Sequence, residues 1–160
     1  MKESKMENKS FKSFYSTIST QDIPSTIKAA LKTKTFQEIS NSIEDFWISG
    51  ACVDFSKALI EAFGGEEYLV LKRGSRDSYW FNHSVVLIGN NYYDATGKVT
   101  ESEVRKAYGA VSGENRSQFV AKANLSKKEL SAIGYGSRYK ISSKEIQAMS
   151  KCLTDFSTCS

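Results

Sequence analysis

Apolar positions recur along this chain in two rhythms, and the change between them divides it. After Pro24, Ile27, Ala30 and Leu31 mark the inner face of a short helix over 26–32. Thr35 and Glu38 have the spacing of a capping box. Behind them Phe36, Ile39, Ile43, Phe46 and Trp47 recur at three- and four-residue intervals, which predicts a helix running to the break at Ser49-Gly50, with its aromatic stripe packed into the core. A third helix starts at Cys52, turns Phe55, Leu59, Ala62 and Phe63 inward, and stops at Gly64-Gly65.

From Tyr68 onward the rhythm becomes that of strands. Tyr68 to Lys72 is one, Gly74 to Ser78 a polar turn, Tyr79 to Ile88 the next strand, and Gly89-Asn90-Asn91 a tight turn into Tyr92 to Thr96. The prediction is a three-stranded antiparallel meander. Beyond it, Thr100 with Glu103, Ser126 with Glu129 and Ser142 with Glu145 repeat the capping-box spacing, each ahead of a short helix, and Gln118 to Ala121 adds an edge strand. The expected fold class is α+β, helices packed on an antiparallel sheet. Residues 1–20, rich in Lys and Ser with Phe11, Phe14 and Tyr15 as their candidate anchors, read as a flexible basic lead-in, leaving 21–160 as a single domain.

Composition adds limits. In 160 residues, 40% hydrophobic and 12% aromatic content is enough for one packed core. The net charge of +4 comes from 22 Lys and Arg scattered among 18 Asp and Glu, with no basic stripe and interleaved aromatics, so nucleic acid is a disfavoured partner. No apolar run is long enough for a signal peptide or a membrane span. Three unevenly spaced cysteines, Cys52, Cys152 and Cys159, do not make a disulfide framework; a reducing, cytoplasmic setting is expected, with a Cys152–Cys159 bridge left open.

The candidate chemistry lies in the order Cys52, His83, Asp94: a thiol, an imidazole and a carboxylate in the sequence needed for a nucleophile, its base and the group that orients the base. A helix N-terminus at Cys52 favours the thiolate. His83 is the only histidine; it opens the apolar run Ser84-Val85-Val86-Leu87-Ile88, where a buried ring must find a partner. Whether Asp94 is that partner depends on register. A Gly89-Asn90 loop of type II′ sets Val85 opposite Asp94 and Thr96 opposite His83, which makes the carboxylate a diagonal neighbour of the ring on one face. An Asn90-Asn91 loop sets Leu87 opposite Asp94 and takes it out of reach, and a three-residue loop turns it to the other face. Thr96 is the fallback orienting group. For the oxyanion, the backbone N–H of Cys52 supplies one donor, and Ser49, Asn41 and Asn82 are candidates for the second.

Other chemistries are poorly supported. A metal site lacks a Cys-x-x-Cys pair or a second histidine, so neither metal nor cofactor is expected. Gly64-Gly65 and Gly134-Tyr135-Gly136 lack the context of a phosphate loop. Glu66 and Glu67 are adjacent on a strand and point to opposite faces, which excludes a simple carboxylate pair for glycoside chemistry.

The segments Ser49-Gly50-Ala51-Cys52-Val53-Asp54-Phe55-Ser56-Lys57-Ala58-Leu59, His83-Ser84-Val85-Val86-Leu87-Ile88 and Tyr92-Tyr93-Asp94-Ala95-Thr96-Gly97 resemble the papain-like cysteine hydrolases in the broad sense, including transglutaminase-like proteins and papain-fold toxins that deamidate glutamine. The resemblance implies a minimal papain-like core with flanking helices. It also implies that Cys52 attacks a peptide or protein amide, His83 carries the proton and Asp94 holds the ring. Peptidase, amidase, glutamine deamidase and acyl transferase all remain open. Two features depart from the pattern: Cys52 and His83 are only 31 residues apart, and the nearest preceding glutamine, Gln37, lies 15 residues before the cysteine. The competing expectation is a non-catalytic binding or inhibitory protein on the same fold.

Overall fold

A computed structural model describes residues 22–74, 78–109 and 117–155. The predicted lead-in, the middle of the Gly74–Ser78 turn and Cys159 lie outside the described residues.

Helix α1 includes residues 22–31 and so already holds Pro24, earlier than predicted. Ile23, Ile27 and Ala30 are buried along it. Helix α2 (Lys34–Ser40) stops well before the predicted end at Trp47. Asn41 takes a left-handed φ of 53°, and its N–H closes on the carbonyls of Gln37 and Glu38. Thr33, not Thr35, is the N-cap residue, and it makes no side-chain cap bond. Residues 41–50 then run as successive turns with Ser42 and Asp45 also at positive φ. Asn, Ser and Asp tolerate this geometry and bond locally to their own backbone, and here that outweighs the helical spacing of the aromatics. Phe46 and Trp47 still reach the core, whereas Ile43 is left 47% exposed. Helix α3 (Cys52–Phe63) begins and ends as predicted, with Gly64 as its stop.

Among the described residues the sheet has five antiparallel strands, β1 (Glu66–Arg73), β2 (Tyr79–Ile88), β3 (Asn91–Asp94), β4 (Gly97–Val99) and β5 (Ser117–Ala121), in the spatial order β4-β3-β2-β1-β5. Strand β5 is the expected edge, paired to β1. The predicted third strand is cut short: β3 ends at Asp94, Ala95-Thr96 form a two-residue turn, and β4 folds back so that Asp94 pairs with Gly97. Thr96 is therefore in a turn and not opposite His83. Helices α4 (Glu101–Tyr108), α5 (Lys127–Ala132) and α6 (Ser143–Thr154) follow, the first before β5 and the others after it. All three predicted N-caps are used. Ser126 with Glu129 and Ser142 with Glu145 form full reciprocal boxes, and Thr100 accepts from the Glu103 N–H.

Alternation along the strands gives the sheet two covered faces. Val86, Ile88 and Tyr93 pack with Phe36 and Phe55 and with Met149 and Leu153 of α6. On the other face Val70 and Val85 meet Val104, with Tyr68, Tyr92, Tyr108 and Phe119 closing around them. No helix among the described residues is long and apolar enough to cross a membrane. Cys152, buried in α6, is disulfide-bonded.

Candidate active site

The His83 side chain owes its direction to an irregularity in β2. Val70 pairs with His83 but the next residue, Leu71, pairs with Phe81, so Asn82 is an extra residue, a bulge that re-aims the adjoining imidazole. The turn after β2 is the two-residue Gly89-Asn90 loop, since Ile88 pairs with Asn91. Gly89 has φ 63° and Asn90 is not among the positive-φ residues, the signature of type II′. This is the register that places Asp94 level with Val85 and diagonal to His83.

The consequence is a buried pair. His83 Nε2 hydrogen-bonds Asp94 Oδ2 at 2.8 Å, with the ring fully buried and the carboxylate 3% exposed. The other oxygen, Oδ1, accepts from the Thr96 N–H at 2.8 Å and from the Thr96 hydroxyl. Thr96 thus holds the carboxylate, not the imidazole. The ring is stacked on Tyr108, centroids 3.7 Å apart and planes 13° from parallel, and the bulged Asn82 donates its amide N–H to the Tyr108 carbonyl. His83 Nδ1 has no hydrogen-bond partner, and among the described residues it is the one buried side-chain nitrogen or oxygen in that state.

Cys52 opens α3, the helix whose Ser56 meets Ser84 on β2. Gly50 lies two residues before it at φ +115°, where a Cβ would stand 2.8 Å from the Tyr139 ring, so the approach to the helix needs glycine. The Gly50 carbonyl accepts the Arg138 N–H at 3.0 Å, which straps the segment after α5 beside the start of α3. Cys52 is 5% exposed. Burial pushes it up to about 11, and the charge of Glu67 adds to this, while the main-chain N–H groups of Ser84, Val53 and Cys52 itself pull it down. The helix N-terminus was expected to favour the thiolate; desolvation outweighs it. Contact with the Ser84 N–H sets the sulfur beside the residue that comes after His83. No hydrogen bond joins the thiol to the ring, since Nδ1 is without a partner.

A cleft of about 400 Å³ lies against Cys52. Ser49 and Asn82 line it, as do Asp45, Tyr108 and Arg138. Asn41 does not; it is the exposed C-cap of α2. Tyr108 and Arg138 carry no local signal that would have singled them out, because only the packing of α4 and of the segment after α5 brings them here.

On the other face of β2, Ser84 donates to Glu67 Oε2 at 2.7 Å and lies 2.8 Å from the Ser56 hydroxyl. The Tyr135 hydroxyl sits 2.9 Å from both Glu67 oxygens, and Lys122 Nζ is 3.9 Å from Oε1. Burial raises the Glu67 carboxyl above the ordinary range, against the pull of these donors. Among the described residues no group of three or more His, Cys, Asp or Glu side chains is placed to hold a metal ion. No protein-family model matches this chain, nor does any curated protein or solved structure.

Proposed function

We propose that this protein is a cysteine-nucleophile hydrolase or acyl-transfer enzyme of papain-like type, acting on a peptide or protein amide. The observation that carries the reading is the His83–Asp94 pair with its open nitrogen. With Asp94 accepting at Nε2, the neutral ring holds its hydrogen there and presents a lone pair at Nδ1, the tautomer a general base needs. Cys52 lies at the start of α3, against the adjacent Ser84 N–H, in a cleft open to a substrate.

Because the thiol sits near 11, attack is coupled to proton transfer and does not start from a standing ion pair. The Cys52 proton passes to Nδ1 as sulfur bonds the carbonyl carbon. The oxyanion is held by the Cys52 N–H, with the Asn82 amide and the Ser49 hydroxyl as the cleft's further donors. Collapse breaks the C–N bond, Nδ1 returns the proton to the leaving nitrogen, and water or an amine then resolves the thioester. Peptidase, deamidase and transferase differ only in the acyl donor and that last acceptor.

The depth of Cys52 and its raised thiol favour a second reading, a binding or inhibitory protein in which Cys52 is packing. An activated acyl donor separates the two. Acetylglycyl-glycine p-nitrophenyl ester should release a burst of about one equivalent of nitrophenolate and leave the acyl group on the Cys52 peptide by mass. No acylation of Cys52, or acylation indifferent to His83→Ala, leaves the packing reading.

A further inference from the structure

The cleft against Cys52 has one cation and one carboxylate in its lining, Arg138 from the segment after α5 and Asp45 from the turns after α2. Both are exposed, and they do not pair with each other. Among the described residues neither side chain makes an ion pair or a hydrogen bond, so each keeps its charge for a ligand. The arginine is nevertheless held in place. Its N–H is bonded to the Gly50 carbonyl at 3.0 Å, and the preceding Ser137 donates to the Asp54 carboxylate in the first turn of α3. Its stem lies against the bare main chain of Gly50: a Cβ there, at φ +115°, would stand 3.2 Å from Arg138 Cδ and 3.3 Å from its Cβ. The glycine two residues before the nucleophile is therefore also the seat of the arginine. On the other side of Ser137, the Tyr135 hydroxyl is tied to Glu67 at 2.9 Å, so the whole segment is fixed to the body of the domain.

We infer that Arg138 is a specificity-determining residue of this site, and that it holds a carboxylate of the substrate beside the scissile amide. The inference rests on the acyl-transfer reading above. A guanidinium is a planar fork of donors that matches a carboxylate with two parallel hydrogen bonds, and a stem already seated on Gly50 has less freedom to lose when they form. Asp45 gives the cleft a direction. A substrate carboxylate is drawn to the Arg138 wall and repelled from the Asp45 wall, which sets which way round the reacting amide lies over Cys52. The carboxylate is either an acidic side chain on the acyl part or the free terminus of the amine part, and its chemistry at Arg138 is the same.

The test uses the whole chain and two pairs of probes whose members differ in charge and little else. On the acyl side, acetyl-Glu-Gly and acetyl-Gln-Gly p-nitrophenyl esters are compared by the rate of Cys52 acylation. On the amine side, the acyl-enzyme formed from acetylglycyl-glycine p-nitrophenyl ester is resolved by glycylglycine or by glycylglycinamide at equal free-amine concentration, read as transfer product over hydrolysis. At least one pair should favour its carboxylate member by about tenfold at low salt, and the pair that does so identifies the source. Arg138→Gln should bring that ratio to about one, while Arg138→Lys, which keeps the charge without the fork, should retain part of it. Acylation in which neither pair discriminates overturns the inference while leaving the acyl-transfer reading intact, as does a carboxylate preference that Arg138→Gln leaves unchanged. If no ester acylates Cys52, the acyl-transfer reading falls and the inference with it.

Discussion

His83 and Ser84 are neighbours on β2, point to opposite faces of the sheet, and each meets a buried carboxylate on an adjacent strand: Asp94 on β3 and Glu67 on β1. The two arrangements end differently. The Ser84 side is closed, since Glu67 is met by Ser84, Tyr135 and Lys122, and Ser56 completes the Ser84 hydroxyl. The His83 side is open, because Asp94 is satisfied by the ring and by Thr96 while the ring keeps a buried nitrogen without a partner. A buried polar network that only supports the fold is expected to satisfy its members. The one that stops short, at the nitrogen on a residue next to the Cys52 contact, is the one the proposed reaction uses.

The largest effect should separate the two sides outright. Cys52→Ala should abolish ester acylation and His83→Ala should slow it by about 10²–10⁴-fold, with cooperative melting retained in both. Loss of the cooperative melt in Cys52→Ala would mean that the thiol is packing. Next comes Asp94→Asn, where the geometry dictates the tautomer. The Thr96 N–H requires an oxygen at the Oδ1 position, so the new amide nitrogen must face Nε2. The ring then accepts there and carries its hydrogen on Nδ1, which removes the lone pair the thiol needs. Acylation should fall by up to about 10⁴-fold. A kinetically silent Asp94→Asn would leave the open nitrogen without the role given to it.

The His83–Asp94 contact was legible in sequence because it obeys a local rule: Gly89-Asn90 favours one loop, one loop fixes one register, and register fixes the face. The helix at Cys52 and the caps at Thr100, Ser126 and Ser142 were readable for the same reason. The features that were not legible depend on competition or on distance. Phe46 and Trp47 keep helical spacing without a helix, because Asn41, Ser42 and Asp45 take left-handed geometry and tertiary packing still buries the two rings. The bulge at Asn82 has no glycine to mark it. Tyr108, Tyr135 and Arg138 arrive from segments far along the chain. The thiol's rise to about 11 needed the burial of Cys52, which spacing does not reveal.

The closed side should answer first to pH. The Glu67 carboxyl is raised by burial, so the folded chain holds this proton more readily than the unfolded one. Its contribution to stability is present in full below the ordinary carboxylate range and is lost as pH rises through the raised value. Glu67→Gln, which keeps the shape without the charge, should therefore lose ground to the native protein as pH falls from mildly alkaline to mildly acidic. Ester acylation by Glu67→Gln should rise by a few-fold at most, since the Glu67 charge adds to the rise of the Cys52 thiol that burial chiefly causes. A melting-temperature difference that does not change with pH would show that Glu67 carries no proton of its own in the fold.

Thr96→Val should have the smallest effect and bears on how much of the open side is fixed by one turn. Asp94 Oδ1 accepts from both the N–H and the hydroxyl of Thr96, and the substitution removes only the hydroxyl. The main-chain bond and the bond to His83 Nε2 remain, so the carboxylate keeps its orientation and the ring keeps its tautomer. The lost hydrogen bond is worth about 1 kcal/mol of stability, read as a modest drop in melting temperature, and acylation should slow by less than about tenfold. If Thr96→Val proves as damaging as Asp94→Asn, the ring is held by the Ala95-Thr96 turn more than by the β2–β3 register.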